Sequence, residues 1–160
     1  MDYTNTYNAR NSGVDIADIK CEEFLVNNEI PYVRYGFDQQ NNPIEFEHFS
    51  LIPTTIRSQP DFIVFQNQAR LLEVKGCRDV LRLKKEDIEV YEFWWKVMPL
   101  SFFIYSCSYE SYKLISYRGL VRLSINAPVD IYADNNKEYY KIDWQKLWEK
   151  SMKNPKNFVS

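Results

Sequence analysis

The spacing of apolar residues changes along this chain, and each change marks an element. Val14, Ala17, Cys21, Phe24 and Leu25 gather on one arc of a helix, with Asp18 and Glu22 one turn apart along its border. That period predicts a helix from Val14 or Asp15 to about Asn28, preceded by a polar, Asn-rich arm over residues 1–13. Pro31 ends the helix, Tyr32 to Phe37 reads as a strand, and Asp38 to Pro43 is a polar turn. Ile44-Glu45-Phe46-Glu47-His48-Phe49 opens with apolar and polar residues in alternation, the pattern of a half-buried strand. An irregular link from Pro53 to Pro60 follows.

The next stretch has the pattern of a hairpin. Asp61 to Phe65 and Ala69 to Lys75 are apolar runs joined by Gln66-Asn67-Gln68, and Gly76 breaks the second of them. Helical spacing returns from Lys84 to Met98, where Lys84, Asp87, Ile88, Tyr91, Trp94, Trp95 and Met98 share one face and Pro99 closes the element. Leu100 to Cys107 is continuously apolar, which predicts a strand covered on both faces in the sheet interior. Lys113 to Tyr117 and Leu120 to Ile125 predict a second hairpin turning at Arg118-Gly119; a polar loop from Ala133 to Glu138 and a helix from about Asp143 to Lys153 complete the chain. Strands and helices alternate without a repeat or a linker, so the expectation is one α/β domain over 1–160, with its core at about 14–107 and a C-terminal hairpin and helix at 113–153.

Composition narrows the functional classes. Apolar residues are 45% of the 160, including Tyr 12, Phe 10 and Trp 4, ample for a core. Apolar runs such as Leu100 to Tyr105 fall far short of the roughly 20 residues a membrane helix needs. The N-terminus lacks the basic start and apolar segment of a secretory signal, so an intracellular protein is expected, and abundant Asn and Lys point to an AT-rich viral or microbial genome. Cys21, Cys77 and Cys107 are odd in number and widely spaced, which fits reduced thiols, and the lone His48 is not the basis of a zinc site. A net charge of −2 and a pI near 5.5 count against a general nucleic-acid coating protein. They count less against a nuclease, which gathers acids at its centre and needs only a local cationic rim. Lys75, Arg78, Arg82, Lys84 and Lys85, set against Asp79 alone, supply such a rim.

Chemistry concentrates in Glu73-Val74-Lys75. Residues two apart on a strand face the same side, so Glu73 and Lys75 project together while Val74 packs behind them. The hairpin brings Asp61, directly after Pro60, beside them. Two carboxylates and the main-chain carbonyl of Val74 suit Mg²⁺, a hard cation that keeps several waters, and Mn²⁺ would substitute. Such an ion polarises a phosphate and generates hydroxide, while Lys75 orients the nucleophile or bears the charge growing on phosphate oxygens. An acid-x-Lys triplet arises about once or twice by chance in a chain this size. Asp18-Ile19-Lys20 is one such decoy, on a helix where residues two apart diverge. Glu73-Val74-Lys75 differs because it ends an apolar strand, follows Pro60-Asp61 by a hairpin's length and precedes a glycine and a basic segment.

Pro60-Asp61, Glu73-Val74-Lys75, then a helix and a buried strand together resemble the core of the PD-(D/E)xK nuclease superfamily over about residues 14–107. Residues Leu25 to Arg34 are similar to the helix end and first strand of archaeal-type Holliday-junction resolvases. The resemblance implies a restriction-endonuclease-like mixed central sheet flanked by helices, a Mg²⁺-dependent deoxyribonuclease and DNA as partner. It also implies a further metal-site acid on the first helix, Asp18 or Glu22, and a phosphate contact at Arg34. Asp87 and Tyr91 occupy a place similar to a Gln-x-x-x-Tyr pair of RecB-like relatives, without the Gln. Glu29 stands where the family has a small residue, and the stretch from Arg34 to Pro60 is longer than in small resolvases. The expected substrate is branched DNA, for which a homodimer would suit a symmetric junction. A restriction enzyme or exonuclease of the same superfamily, a nuclease-like fold that only binds, and a strand-end salt bridge among Asp61, Glu73 and Lys75 are the alternatives; clustered acids that repel phosphate argue against the binding module.

Overall fold

The computed structural model describes residues 16–37 and 43–149. The expected arm, the Val14 or Asp15 helix start, the turn from Asp38 to Asn42 and the end of the last helix at 150–153 lie outside them. Helix α1 covers 16–27 and turns into the first strand through Glu29, whose φ of 55° lies in the left-handed region. The Ile30 N–H donates back to the Leu25 carbonyl at 2.9 Å across that turn, closing the helix end. Strands β1 (Tyr32–Arg34), β2 (Phe62–Phe65), β3 (Ala69–Cys77), β5 (Leu100–Ser106) and β6 (Ser111–Ser116) form a sheet in the order β1-β2-β3-β5-β6. The β3 and β5 pair is parallel and the others antiparallel, so the sheet is mixed. Helix α4 (Lys85–Val97) is the crossover between β3 and β5, as the spacing at Lys84 to Met98 predicts.

Strand alternation sorts the core to the two faces of this sheet. Leu72 and Val74 of β3 and Phe103 and Tyr105 of β5 pack with Ala17, Cys21, Phe24 and Leu25 of α1. Leu71, Leu100, Phe102 and Ile104 face the other way, against Tyr91 and Trp94 of α4. Glu73 and Lys75 therefore fall on the α4 side. Every residue of β5 is buried, as expected of its unbroken apolar run.

Several expectations are corrected. Residues 44–49 are not a strand: Phe46–Leu51 is a short helix, α2, with no buried residue, and Phe49 meets the Phe37 ring edge-on at 5.5 Å. The segment pairs with no strand of either sheet, so its brief alternation does not become a ladder. Within the expected link, Thr54–Arg57 forms one helical turn, α3. Gly76 does not end its strand, because β3 runs on to Cys77 beside Tyr105 and Ser106 of β5. The chain then doubles back as β4 (Val80–Lys84), which joins β8 (Glu138–Asp143) and β7 (Val129–Ile131) in a second sheet of order β4-β8-β7. Leu81 and Leu83 enter the core while Arg82 stays exposed, a period-two signal hidden by the charge of the segment.

The predicted hairpin at 113–125 is instead β6 followed by helix α5 (Tyr117–Ile125). The Ser116 side chain caps α5 by accepting from the Gly119 N–H at 3.1 Å, and Tyr117, Leu120 and Ser124 bury one helical face. The last described element, Trp144–Glu149, is a 3₁₀ helix rather than the start of an α-helix. It is held by the buried Lys113 of β6, whose Nζ donates to the Trp144 carbonyl at 2.6 Å and lies 4.3 and 4.2 Å from the Trp144 and Trp148 ring centres.

Candidate functional site

The register of β2 and β3 brings the candidate acids together. Phe62 pairs with Leu72, so Asp61 at the entry to β2 lies level with Glu73. The Val74 N–H donates to Asp61 Oδ2 at 2.7 Å, fixing that carboxylate at the β3 edge. The Asp61 backbone is held as firmly, because its carbonyl accepts from the N–H groups of Tyr35 at 2.8 Å and Gly36 at 3.1 Å. A Cβ on Gly36 would stand 3.1 Å from the Pro60 oxygen and 3.2 Å from Asp61 Cα, so a glycine permits this approach.

Glu73 and Lys75 project side by side, with Lys75 Nζ 3.2 Å from Glu73 Oε1. The Tyr91 hydroxyl, on the facing side of α4, is 3.4 Å from the same oxygen, and Lys75 Nζ lies 5.3 Å from the Tyr91 ring centre. Glu73 Oε2 is buried without a hydrogen-bond partner. Burial, and then the negative charge of Asp61, push the Glu73 carboxyl up to about 8, against the pull of Lys75. Burial alone would lower Lys75, but the Tyr91 oxygen, Glu73 and Asp87 outweigh it and raise the ammonium well above its ordinary value. The Tyr91 hydroxyl is raised too, mainly by burial. The site is thus a buried carboxylate that favours a cation or a proton, beside a fixed ammonium.

Asp18 and Arg34 join the site from α1 and β1. Arg34 lies 3.4 Å from Asp18 Oδ2 and 3.9 Å from Asp61 Oδ1, and its guanidinium sits 4.8 Å from the Phe62 ring centre. The helix border predicted for Asp18 and Glu22 thus separates the two: Asp18 is linked to Asp61 through Arg34, whereas Glu22 is exposed. Among the described residues no group of three or more His, Cys, Asp or Glu side chains converges as a metal cage. The donor set is two facing carboxylates, Asp61 and Glu73, which fits Mg²⁺ because that ion binds through one or two carboxylates and retains water.

The site opens into a cleft of about 290 Å³ lined by Asp61, Glu73, Lys75, Asp87, Val90 and Tyr91 on one side and by Phe37, Phe49, Arg57, Ser58 and Gln59 on the other. Asp87 and Tyr91 are therefore brought to the site. The basic rim is not: Arg78, Arg82, Lys84 and Lys85 are absent from this lining. Arg78 is exposed at the β3–β4 turn, where its carbonyl accepts from Ser106 Oγ at 2.5 Å. The other three turn to the second sheet, with Arg82 5.6 Å from the Tyr139 ring centre, Lys84 5.9 Å from that of Tyr132, and Lys85 3.2 Å from Glu138. Arg57, Ser58 and Gln59, by contrast, escaped sequence reasoning. They belong to a segment whose fold depends on contacts with α4 and β1, and only their nearness to Pro60-Asp61 hinted at it.

No protein-family model matches this sequence, and no curated protein does. Among solved structures the chain is similar to Hjc of Archaeoglobus fulgidus, a Holliday junction resolvase from an archaeal hyperthermophile, at 12% identity and a TM-score of 0.50. The match covers 87% of this chain and 89% of that one. The likeness is one of fold: a five-stranded mixed sheet flanked by helices, the restriction-endonuclease-like architecture expected from Pro60-Asp61 and Glu73-Val74-Lys75. No helix among the described residues is long and apolar enough to cross a membrane.

Proposed function

We propose that this chain is a Mg²⁺-dependent endonuclease of the PD-(D/E)xK type that hydrolyses DNA phosphodiester bonds, with branched or junction DNA as its substrate. The observation that carries this reading is Glu73: its Oε2 is buried without a hydrogen-bond partner, facing Asp61 and beside Lys75. A carboxylate so placed is costly unless a cation completes it. Asp61, Glu73 and the Val74 carbonyl would hold Mg²⁺, or Mn²⁺ in its place, while Asp18 is paired with Arg34 beside them. When bound, such an ion activates water and polarises the scissile phosphate.

The chain's own residues supply the rest. Lys75, steered by Glu73 and Tyr91, orients a water for attack and offsets negative charge growing on the phosphate oxygens. Arg34 shields Asp18 and Asp61 from incoming phosphate, and Asp87 borders the cleft beside Lys75. The fold shared with Hjc supports a junction substrate, and a homodimer would present two such sites to a symmetric junction. The test is cleavage of labelled linear duplex, single strand, flap and four-way junction in Mg²⁺, Mn²⁺ and EDTA, beside Lys75→Ala. Metal-dependent cutting of branched substrates that Lys75→Ala abolishes is expected; cutting that survives the substitution, or binding without cutting on every substrate, would overturn the assignment.

A further inference from the structure

We infer that Arg57, on the short helix α3, is the positioning residue that grips a backbone phosphate of the strand being cut. The inference rests on the nuclease reading above and names how that cleft holds its substrate. The cleft is lined by three acids, Asp61, Glu73 and Asp87, so before a metal is bound an entering polyanion meets repulsion that a cation not already paired with these acids would relieve. Lys75 is engaged with Glu73, and Arg34 with Asp18 and Asp61. Arg57 makes no ion pair among the described residues. Its polar contact is with Thr54 Oγ1, which accepts from a terminal nitrogen at 3.0 Å, and the Phe49 ring centre lies 5.8 Å from the guanidinium carbon. Neither neutralises its charge.

Its Nε, moreover, is buried without a hydrogen-bond partner. An arginine uses Nε–H with a neighbouring terminal N–H to grip two oxygens of one phosphate, and Arg57, a cleft-lining residue, has that Nε–H uncommitted. The surroundings hold this group in place. Trp94 Nε1 of α4 donates to the Thr55 carbonyl at 3.2 Å, and Gln59 Nε2 donates to the Tyr35 carbonyl, so α3 is tied to the helix above the site and to the end of β1. This gives the long stretch between Arg34 and Pro60 a role, as the wall that carries a preorganised phosphate contact.

The experiment compares wild type with Arg57→Gln, which keeps a donor for Thr54 but not the charge, and with Arg57→Lys. Binding of four-way junction and linear duplex is measured in EDTA over a range of salt, with single-turnover cleavage in Mg²⁺, Mn²⁺ titration and thermal melting alongside. Arg57→Gln is expected to bind both DNAs about tenfold or more weakly, to reduce the slope of log affinity against log salt by about one, and to leave Mn²⁺ binding unchanged. Arg57→Lys should restore the salt slope while recovering only part of the affinity. A purely structural role would lower the melting temperature without moving that slope. An unchanged slope and affinity in Arg57→Gln, with wild type cutting DNA, would overturn the assignment of Arg57 and leave the nuclease reading intact. Wild type that binds without cutting would overturn the nuclease reading while the slope still decides Arg57, and wild type that neither binds nor cuts would overturn both.

Discussion

Asp61 Oδ2 accepts a hydrogen bond from the backbone N–H of Val74 at 2.7 Å. The contact joins the first residue of Asp61-Phe62-Ile63-Val64 to the middle of Glu73-Val74-Lys75, and so holds one acid facing the other. Asparagine at this position keeps an acceptor and loses the charge; alanine loses both. Asp61→Asn is expected to abolish metal-dependent cleavage and weaken Mn²⁺ binding with little change in stability. Asp61→Ala should be equally inactive and less stable than Asp61→Asn by about 1 kcal/mol, since a buried N–H is left without its acceptor. Denaturant melts and Mn²⁺ titration of the two variants check this.

Stability of the metal-free protein should depend on pH through Glu73. Burial and Asp61 raise its carboxyl from 4.5 to about 8, so the folded chain binds more protons than the unfolded chain between those values. The contribution is fully present below the unfolded value and is lost as pH rises toward 8. Wild type in EDTA is therefore expected to lose stability, relative to Glu73→Gln, from about pH 5 to 8. Adding Mg²⁺ at the upper end should restore it, because the ion favours the ionised acid. Parallel pH profiles for the two proteins in EDTA would show that the carboxyl is not buried as described.

Gly36→Ala tests how closely β1 must approach the site. The added Cβ would press on the Pro60 oxygen and Asp61 Cα, backbone atoms that cannot rotate away, so Asp61 has to shift by a few tenths of an ångström. Catalytic groups need placement within about 0.5 Å. Single-turnover cleavage is expected to fall about tenfold or more, with a stability loss of about 1–3 kcal/mol from overpacking. Full activity in this variant would mean that the Pro60-Asp61 turn yields without displacing the carboxylate.

Glu29→Gly should stabilise the protein. Glu29 ends α1 at a φ of 55°, a conformation that costs a residue with a Cβ about 1–2 kcal/mol. Glycine avoids that cost but loses more backbone freedom on folding, which leaves an expected net gain of about 0.5–1 kcal/mol in urea unfolding, with cleavage unchanged. The small residue implied at this position by the family resemblance thus has a conformational reason.

What the sequence determined by itself was local. The two-residue period of a strand put Glu73 and Lys75 on one face, and a short polar turn between two apolar runs set Asp61 opposite them, whatever the rest of the chain did. The unbroken apolar run at 100–106 likewise declared an interior strand. The alternation at 44–49 and the basic run at 78–85 misled because the fate of such segments depends on a partner. Residues 80–84 pair with β8, distant in sequence, which draws Arg82, Lys84 and Lys85 to the second sheet and away from the cleft. Residues 117–125, expected as part of a hairpin, form a helix because Ser116 caps it and its apolar face packs into the core. Tertiary structure also decided that Asp18 rather than Glu22 reaches Asp61 through Arg34, and that Arg57 completes the cleft wall. Periodicity fixes which way a side chain faces along its own element; the surface it meets there is set by long-range packing, which no local pattern encodes.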